Sequence, residues 1–274
     1  MELVDLQIGI DAGGSLTKIV TIRDGKKEYR TKDFYGALEL ARTLTGYDRV
    51  YLTGCRAGTL EAHLPDNLKG RVYRADELEA FWAGAHKMLS EEGRPSDSFV
   101  LVAFGTGTSV FTVSSGKGTR TAGTGVGGGT LTGLSRLLIG ITDFEAIMDL
   151  ASRGNRHLVD LMVSDLYPDA KASPVLNELT AANFGSREVE RSSKEDIASA
   201  ILQLVVETIA VISIQVARAH QMETIVVAGS PTRHPLVRAR FGELGALLGH
   251  DFFAFLEHGP YCGALGAIIT GKRA

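Results

Sequence analysis

Two short turns in this chain carry the residue types that bind phosphate groups. Residues 12–15 (AGGS) separate two apolar runs near the start of the chain, and residues 105–108 (GTGT) separate two more such runs further along. Glycine exposes backbone N–H groups to an approaching anion without a Cβ in the way, and serine and threonine hydroxyls add donors. Either turn alone fits an ordinary tight hairpin as well as an anion site. The two together are what a clamp around nucleotide phosphates requires.

Two charged residues flank the first turn. Asp11 ends the apolar run before it, where an exposed carboxylate can orient Mg²⁺ or its bound waters. Lys18 lies just beyond the turn and can place a cation against a terminal phosphate. The alternative for Asp11 is an Asx turn, in which the side chain caps its own loop. If the carboxylate faces the ligand, the two residues predict a magnesium–nucleotide site at this turn.

A third glycine-rich segment, residues 123–128 (GTGVGG), matches the G-x-G-x-x-G spacing, with Asp143 about twenty residues later. A dinucleotide-binding fingerprint needs an apolar strand directly before it, and the pattern of residues 116–121 (GKGTRT) does not predict one. A glycine run that enters a helix still suits the floor beneath an adenosine. The chain has no GxxxxGK[ST] motif, which excludes a P-loop kinase.

Composition and charge exclude several other classes of protein. The formal net charge of −3 gives no electrostatic reason to expect nucleic acid or an anionic membrane as a partner. Cys55 and Cys262 form no CxxC pair, the histidines form no zinc motif, and the N-terminus lacks the features of a signal peptide. We therefore expect a reduced, cytoplasmic protein. Glutamine and glutamate side chains interrupt the most apolar stretch, Ile197–Ala217, which favours a buried or interface helix over a membrane span.

Strand and helix patterns alternate along the whole chain. Apolar runs and alternation predict strands at 6–11, 17–22, 27–34, 49–52, 70–73, 99–104, 110–113, 224–228 and 251–256. Helical spacing predicts helices at 37–44, 76–92, 130–138, 143–153, 156–167, 196–221, 236–248 and from 263 onward. The N-terminal strand–turn–strand pattern recurs after residues 93–95 (GRP), which indicates a weak internal duplication. We therefore predict an α/β protein of two lobes, residues 1–95 and 96–274, with a cleft between them.

Segments along essentially the whole chain resemble, in order, the motifs of one enzyme family. Asp11–Lys18 (DAGGSLTK) is similar to the first phosphate motif of type II and eukaryotic pantothenate kinases. Residues 76–79 (DELE), followed by Gly84, resemble the segment that carries the catalytic glutamate of these enzymes, and residues 105–109 resemble their second phosphate motif. Further similar segments lie at 120–129, 179–185, 229–230 and 263–267.

The resemblance implies a fold of the actin–hexokinase–Hsp70 superfamily, in which two ribonuclease-H-like lobes enclose an ATP cleft. It implies the ATP- and Mg²⁺-dependent phosphorylation of pantothenate to 4'-phosphopantothenate, the first step of coenzyme A biosynthesis. It also implies a homodimer that uses the helix at 196–221, for which the alternative is a helix buried in the core of the monomer. Cys55, in place of a common glycine, and Glu79, in place of a frequent aspartate, depart from the family pattern without touching a proposed catalytic atom.

The resemblance also assigns roles to particular residues. By family position, Glu77 is the base that accepts the hydroxyl proton, and Arg120 neutralises the transferring phosphoryl group. We expect Asp11, from its place at the end of the strand before the first turn, to hold Mg²⁺. Without the resemblance, Glu77 would be interpreted as a helix cap or dipole partner, and Phe144 as an ordinary core residue. The positions that match ATP contacts are Asp11, Ala12, Gly13, Gly14, Ser15, Leu16, Thr17, Lys18, Thr106, Gly128, Gly129, Thr130, Leu131, Thr132, Phe144 and Ser230.

Two other functions fit the same motifs. A kinase of the same fold could phosphorylate a sugar or another hydroxylated metabolite, although the cysteine-rich zinc motif of one large bacterial sugar-kinase group is absent. A regulator could bind or hydrolyse ATP without any acceptor. The presence of both Glu77 and Arg120 at family positions favours a kinase, because a regulator does not need a base that faces an acceptor hydroxyl.

Overall fold

A computed structural model describes residues 6–167, 178–250 and 253–273. Its strands are β1 (Leu6–Ala12), β2 (Thr17–Arg23), β3 (Lys26–Lys32), β4 (Arg49–Thr53), β5 (Val72–Arg74), β6 (Ser98–Phe104), β7 (Thr108–Ser114), β8 (Lys117–Thr124), β9 (Leu161–Met162), β10 (Thr180–Ala182), β11 (Ile225–Ala228), β12 (Phe253–Phe255) and β13 (Lys272–Arg273). The helices bounded within these residues are α1 (Phe34–Thr43), α2 (Ala57–Ala62), α3 (Asp66–Lys69), α4 (Glu77–Glu91), α5 (Gly128–Ile139), α6 (Phe144–Arg153), α7 (Val163–Leu166), α8 (Lys194–Ala219), α9 (Pro235–Leu248) and α10 (Cys262–Thr270).

Two mixed β-sheets with the same internal plan form the framework. The first has the strand order β13-β5-β4-β1-β2-β3, and the second has the order β12-β11-β6-β7-β8. In the first sheet β1, β2 and β3 form an antiparallel meander, and β4 and β5 then join β1 in parallel. In the second sheet β6, β7 and β8 form the meander, and β11 and β12 join β6 in parallel. The repeated plan is the duplicated α/β unit that the sequence predicts.

Strand β6 lies at the centre of the second sheet and is covered on both faces. Phe99 and Leu101 pack into a core to which α4 and α10 contribute, whereas Val100 and Val102 pack into a core that is dominated by α8. All four side chains are fully buried. Because successive residues of a strand point to opposite faces, such a continuous apolar run requires helices on both sides of the sheet.

Helix α8 is the main core helix of the second half. Ser193 and Asp196 cap its N-terminus reciprocally: the Ser193 hydroxyl accepts from the Asp196 N–H (3.2 Å), and the Asp196 carboxylate accepts from the Ser193 N–H (3.0 Å). Among the described residues, α8 alone is long and apolar enough to cross a bilayer, but 67% of its apolar window is buried inside the protein. The protein's own core therefore accounts for its composition, and the homodimer interface at this helix stays a prediction.

Helices α4 and α10 cross in direct backbone contact. A Cβ placed on Gly84 of α4 would lie 1.9 Å from the carbonyl oxygen of Cys262, and one on Gly266 of α10 would lie 1.6 Å from that of Ala80. Each contacted carbonyl lies about one helical turn before the glycine of its own helix, so the crossing is reciprocal. Helix α4 follows β5 and α10 follows β12. The crossing therefore joins equivalent elements of the two sheets.

The C-terminal strand crosses the predicted division between the lobes. Strand β13 pairs with β5 in antiparallel register, with Lys272 opposite Arg74. The other strands of the first sheet come before residue 95, and all strands of the second sheet come after it. The last residues assigned to the second lobe thus complete the sheet of the first. The boundary at residue 95 stays a prediction for the rest of the chain.

The predicted helix over residues 156–167 is wrong. The segment forms a 3-10 turn (Arg156–Leu158), then β9 and α7. The buried side chain of Arg156 donates to the hydroxyl of Thr180 (3.0 Å) and forms an ion pair with the fully buried Asp160 (3.5 Å). These contacts tie the segment to β10, which is distant in sequence, and they override its local helical spacing.

The sequence patterns also miss strand β8. Its side chains are mostly polar because β8 lies at the edge of the second sheet and no side chain of the strand is fully buried. Residues 117–121 therefore lie in a strand, but not in the apolar, central strand that a dinucleotide fingerprint requires. Phe34 begins α1, capped by Asp33, rather than ending the third strand. Residues 251–252 of the predicted last strand lie outside the described residues.

Candidate active site

The two glycine-rich turns meet. The first turn closes the β1–β2 hairpin, in which Ala12 pairs with Thr17, and the second closes the β6–β7 hairpin. The hydroxyl oxygens of Ser15 and Thr106, one from each turn, lie 3.0 Å apart. Both hairpins come from equivalent positions of the two sheets. The duplicated fold therefore brings two sets of backbone and hydroxyl donors to one place.

The second turn rests on the start of α5. The N–H of Gly128 donates to the carbonyl of Gly105 (2.9 Å), and the N–H of Gly129 donates to that of Thr106 (2.8 Å). The hydroxyl of Thr108 donates to the carbonyl of Val126 (2.8 Å). The glycine run before α5 thus allows the turn to approach the helix closely, and these two helical N–H groups already have protein partners.

Asp11 lies at the end of β1 in a confined position. A Cβ placed on Gly54 would lie 2.8 Å from its Oδ1, and one placed on Gly263, at the start of α10, would lie 2.5 Å from its Oδ2. Burial raises the pKa of Asp11 from its ordinary value of 3.8 to about 6; the Lys18 ammonium opposes this rise and the Glu77 carboxylate adds to it. No described residue donates a hydrogen bond to the carboxylate, so nothing in the described chain supports an Asx turn here.

Helix α4 begins at Glu77, but the residue that caps it is Asp76. The Asp76 Oδ1 accepts hydrogen bonds from the N–H groups of Leu78 (3.0 Å) and Glu79 (2.9 Å). The alternative in which Glu77 caps the helix is therefore wrong, whereas Glu77 does lie in the first turn of α4, so its alternative role as a dipole partner stays open. Glu77 is exposed, and its charge acts on Asp11.

Two aromatic contacts fix the direction of α4 along strand β7. Phe81 stacks on Phe111 of β7 with ring centroids 6.4 Å apart, and His86 stacks on Phe99 at the same separation. Phe99 pairs with Val113, which lies beyond Phe111 along β7, so α4 and β7 run in the same direction.

Glu77 precedes Phe81 by about 6 Å of helical rise, and Ser109 precedes Phe111 by about 6.7 Å of strand. Both residues therefore lie toward the end of the sheet at which the second glycine-rich turn precedes β7. The sequence analysis placed Ser109 in the second phosphate motif but gave it no role of its own, although its alternation with Phe111 along the strand was a signal that the two side chains share a face.

A β-bulge in β8 sets the position of Arg120. Arg120 pairs with Phe111 and Ala122 pairs with Val110, so Thr121 is the extra residue. Bulges of this kind redirect a neighbouring side chain and are common beside active sites. The Arg120 Nε donates to the Ser109 hydroxyl (3.3 Å). The residue is exposed, so the rest of the guanidinium is accessible to a ligand.

The predicted adenosine residues gather around the start of α5. Phe144 begins α6 and meets the ring of His234 edge-on, with centroids 6.1 Å apart. His234 ends the 3-10 turn that Ser230 begins, and Pro231 of that turn lies 3.5 Å from the place of a Cβ on Gly128. Phe144 also packs against the core formed around α8, so its half-buried ring is compatible with both interpretations of this residue.

Comparisons with known proteins agree with this arrangement. A family model described as Fumble matches residues 26–270. A curated protein of Oceanobacillus iheyensis named type II pantothenate kinase is 37% identical, over 96% of this chain and 99% of its own. Proteins of the same name from Staphylococcus haemolyticus (35%; 96% and 99%) and Bacillus thuringiensis subsp. konkukian (33%; 97% and 99%) are similar in the same way. The chain belongs to the type II pantothenate kinase family. The resemblance seen in the sequence motifs is thus confirmed.

Solved structures share the fold of this type II pantothenate kinase family member. Component A of the (R)-2-hydroxyglutaryl-CoA dehydratase of Acidaminococcus fermentans superposes with a TM-score of 0.60 at 18% identity, over 96% of this chain and 95% of that one. The ROK hexokinase of Thermus thermophilus gives 0.54 at 13%, over 97% and 98%. At these identities the likeness concerns the fold alone, and it confirms the predicted actin/hexokinase-like architecture.

Some of the positions predicted to bind ATP in this type II pantothenate kinase family member can offer only their backbone. The side chains of Ala12, Thr17 and Leu131 are buried. The hydroxyl of Thr130 donates to the carbonyl of Gly125 (3.0 Å), so it too is already engaged. The remaining positions of the two turns are partly or fully accessible. Any ATP contact at the buried positions is therefore predicted to use main-chain atoms.

Proposed function

We propose that this protein transfers the γ-phosphoryl group of ATP to the primary hydroxyl of pantothenate, which yields 4'-phosphopantothenate in the first step of coenzyme A biosynthesis. The observation that carries the proposal is the meeting of the two phosphate turns at Ser15 and Thr106 (3.0 Å), in a chain 37% identical to a type II pantothenate kinase. Phosphoryl transfer depends mainly on positioning and charge stabilisation, and such a pair of turns supplies both.

In this proposal the ATP phosphates lie between the turns, with Lys18 against the terminal phosphate and Asp11 as the protein ligand of Mg²⁺. Mg²⁺, when bound, neutralises charge on the phosphate oxygens. One carboxylate is sufficient, because Mg²⁺ commonly takes one or two carboxylates together with phosphates and waters. Among the described residues, no group of three His, Cys, Asp or Glu side chains could hold a metal ion by itself, which suits a metal that arrives with the nucleotide.

Glu77 and Arg120 act on the acceptor side of the cleft. Glu77 accepts the hydroxyl proton as the pantothenate oxygen bonds to the γ-phosphorus and the bond to the bridging oxygen of ADP breaks. Arg120 neutralises the charge that develops on the moving phosphoryl group. The Arg120–Ser109 hydrogen bond (3.3 Å) supports the role of Arg120, because it holds the guanidinium beside the strand that follows the second turn. The position of Glu77 at the start of α4, where its charge acts on Asp11, supports its role as the base.

The adenosine is assigned to the start of α5, where Phe144 and Ser230 converge. Gly128, Gly129, Thr130, Leu131 and Thr132 form the floor of this part of the site. The edge-on contact between Phe144 and His234 supports the assignment, because it leaves an aromatic surface beside the glycine-rich backbone.

We also place the enzyme in the cytoplasm as a homodimer with α8 at or beside the interface. Helices α5 and α8 pack against each other. They carry exposed apolar side chains, Leu137 (75%) and Leu138 (51%) on α5 and Val211 (38%) on α8. Burying these side chains against a second copy would remove apolar surface from water, at about 25 cal/mol per Å².

A panel of acceptors with Mg-ATP tests the reaction. We expect pantothenate to stimulate ADP formation, whereas glucose and N-acetylglucosamine leave it near the background rate. A sugar that is the better acceptor by about tenfold, or about 1.4 kcal/mol of transition-state preference, would favour the sugar-kinase alternative. ADP release that no acceptor stimulates would favour the regulator.

A further inference from the structure

Trp82 of α4 packs directly against Gly118 of β8. A Cβ placed on Gly118 would lie 2.4 Å from both Cγ and Cδ1 of the Trp82 indole, closer than real Cβ atoms come to other heavy atoms. Gly118 does not have a positive φ. Any larger residue at position 118 would collide with Trp82. The requirement for glycine is therefore steric, because other residues can adopt this backbone conformation.

The contact lies on the strand that carries Arg120. Gly118 and Arg120 are two residues apart in β8, so their side-chain positions share one face of the sheet. Strand β8 is the edge strand, and it pairs only with β7. The indole of Trp82 is thus what covers the face of β8 beside Gly118, and its thickness sets how closely α4 approaches the strand.

The same helix carries Glu77. The stacking of Phe81 on Phe111 sets the position of α4 along β7, and the contact of Trp82 with Gly118 sets its distance from β8. We propose that Trp82 is a positioning residue that fixes the separation between Glu77 and Arg120 across the acceptor site. This inference rests on the proposed function, because it takes Glu77 and Arg120 as the groups that act on the acceptor and the phosphoryl group.

The first glycine-rich turn has no strand pairing with the Gly118 end of β8, because residues 12–15 belong to β1 and β2. The turn at residues 105–108 is held by the start of α5 and by Thr124 at the far end of β8, which pairs with Thr108 beyond the bulge at Thr121. Displacing the Gly118 end of β8 from α4 is therefore expected to change the position of Arg120, before the bulge, more than that of the turns. Reaction geometry is sensitive to such changes, since a misplacement of about 1 Å can lower a rate about a hundredfold.

The test is a double-mutant cycle on the full-length protein with Mg-ATP and pantothenate. We expect Gly118→Ala and Trp82→Leu each to lower kcat by about ten- to a hundredfold, with the KM for ATP within about threefold of the wild type. The double variant is expected to be no slower than the slower single variant, because both changes remove one contact. Trp82→Phe keeps a flat ring on Gly118 and is expected to retain kcat within about threefold. Additive losses, or equal losses in Trp82→Phe and Trp82→Leu, overturn the proposal.

Two measurements separate this role from general destabilisation. Phe253→Leu replaces a half-buried aromatic residue of β12, the opposite edge strand of the same sheet, and is expected to leave kcat within about twofold at a comparable loss of stability. Trp82 is the only tryptophan of the chain, so its fluorescence reports the contact directly. The emission spectrum should change in Gly118→Ala without any ligand, and an unchanged spectrum overturns the contact.

A wild-type protein that does not phosphorylate pantothenate overturns the proposed function, whereas additive losses in an active protein overturn only the positioning role.

Discussion

Replacing Asp11 by Asn is expected to make the protein more stable and nearly inactive. The carboxylate is confined between Gly54 and Gly263, and no described residue donates a hydrogen bond to it. Burial without such a partner disfavours the charged form, which is why the pKa of Asp11 rises to about 6. An Asn side chain has almost the same shape and carries no charge. The substitution therefore removes the cost of burying the charge together with the proposed ligand for Mg²⁺.

The size of the effect follows from the pKa. A rise from 3.8 to about 6 corresponds to about 3 kcal/mol. Because the pKa of Asp11 is higher in the folded state than in the unfolded state, the folded state binds more protons. The stability that protonated Asp11 contributes is therefore complete below pH 3.8 and is lost as the pH rises through 6. Relative to the Asn variant, the wild type should lose about 1.4 kcal/mol between pH 5 and pH 8. This corresponds to a change of roughly 3–6 °C in the difference between the two melting temperatures.

The assay compares thermal unfolding of the wild type and Asp11→Asn across this pH range, without nucleotide and with Mg-ATP. Mg-ATP should stabilise the wild type at pH 8 and progressively less below pH 6, because protonation of Asp11 competes with the metal. The melting temperature of the variant should lack the loss between pH 5 and pH 8 that Asp11 causes in the wild type. Mg-ATP should also give the variant no Mg²⁺-dependent gain in stability. Asp33→Asn is the matched control, since it removes the charge of an exposed cap while Asn still caps α1.

Two results would refute this reasoning. A variant that is less stable than the wild type at pH 8 would mean that the charged carboxylate has a stabilising partner in the fold. A variant with the kcat and Mg²⁺ dependence of the wild type would mean that Asp11 is a turn residue only. In either case the confinement of the carboxylate would need an explanation that is independent of the metal.

Glu77→Gln is expected to lower kcat by about a hundredfold or more at an unchanged melting temperature; a kcat within about threefold, with chemistry rate-limiting, would exclude Glu77 as the base. Gly266→Ala is expected to cost about 1–3 kcal/mol by forcing α4 and α10 apart, whereas Gly242→Ala, which meets no atom within 4 Å, is expected to be neutral or stabilising. Sedimentation at micromolar concentration is expected to give a dimer, and a monomeric mass at all dilutions would contradict the proposed interface.

Much of the framework could be predicted from local sequence. The apolar runs before the two glycine-rich turns are central strands covered on both faces. Such continuous apolar runs predict buried strands, and the structure has strands at both places. The cap of α4 was also within reach of the sequence: Asp76 followed by Glu79 three residues later is a typical N-terminal signature, and it assigns the cap to Asp76 rather than to Glu77.

The features that escaped prediction depend on contacts between distant residues. Strand β8 has no apolar pattern because its side chains are largely exposed at the edge of the sheet, and its bulge at Thr121 exists only in the register with β7. Arg156 does not lie in the predicted helix, because its side chain donates a hydrogen bond to Thr180 of β10. The end of the sheet toward which Glu77 lies depends on how Phe81 stacks on Phe111, and neither spacing along the chain nor composition predicts that contact.

The crossing of α4 and α10 links the two carboxylates of the proposed mechanism. Helix α4 begins with Glu77, and the start of α10 confines Asp11 through Gly263. Because packed interiors resist compression, a change in the separation of these helices is passed to their ends rather than absorbed at the crossing. We therefore expect the distance between the proposed base, Glu77, and the proposed metal ligand, Asp11, to depend on the close approach of the backbones at Gly84 and Gly266. This is why Gly266→Ala should reduce kcat by more than its loss of stability alone would explain.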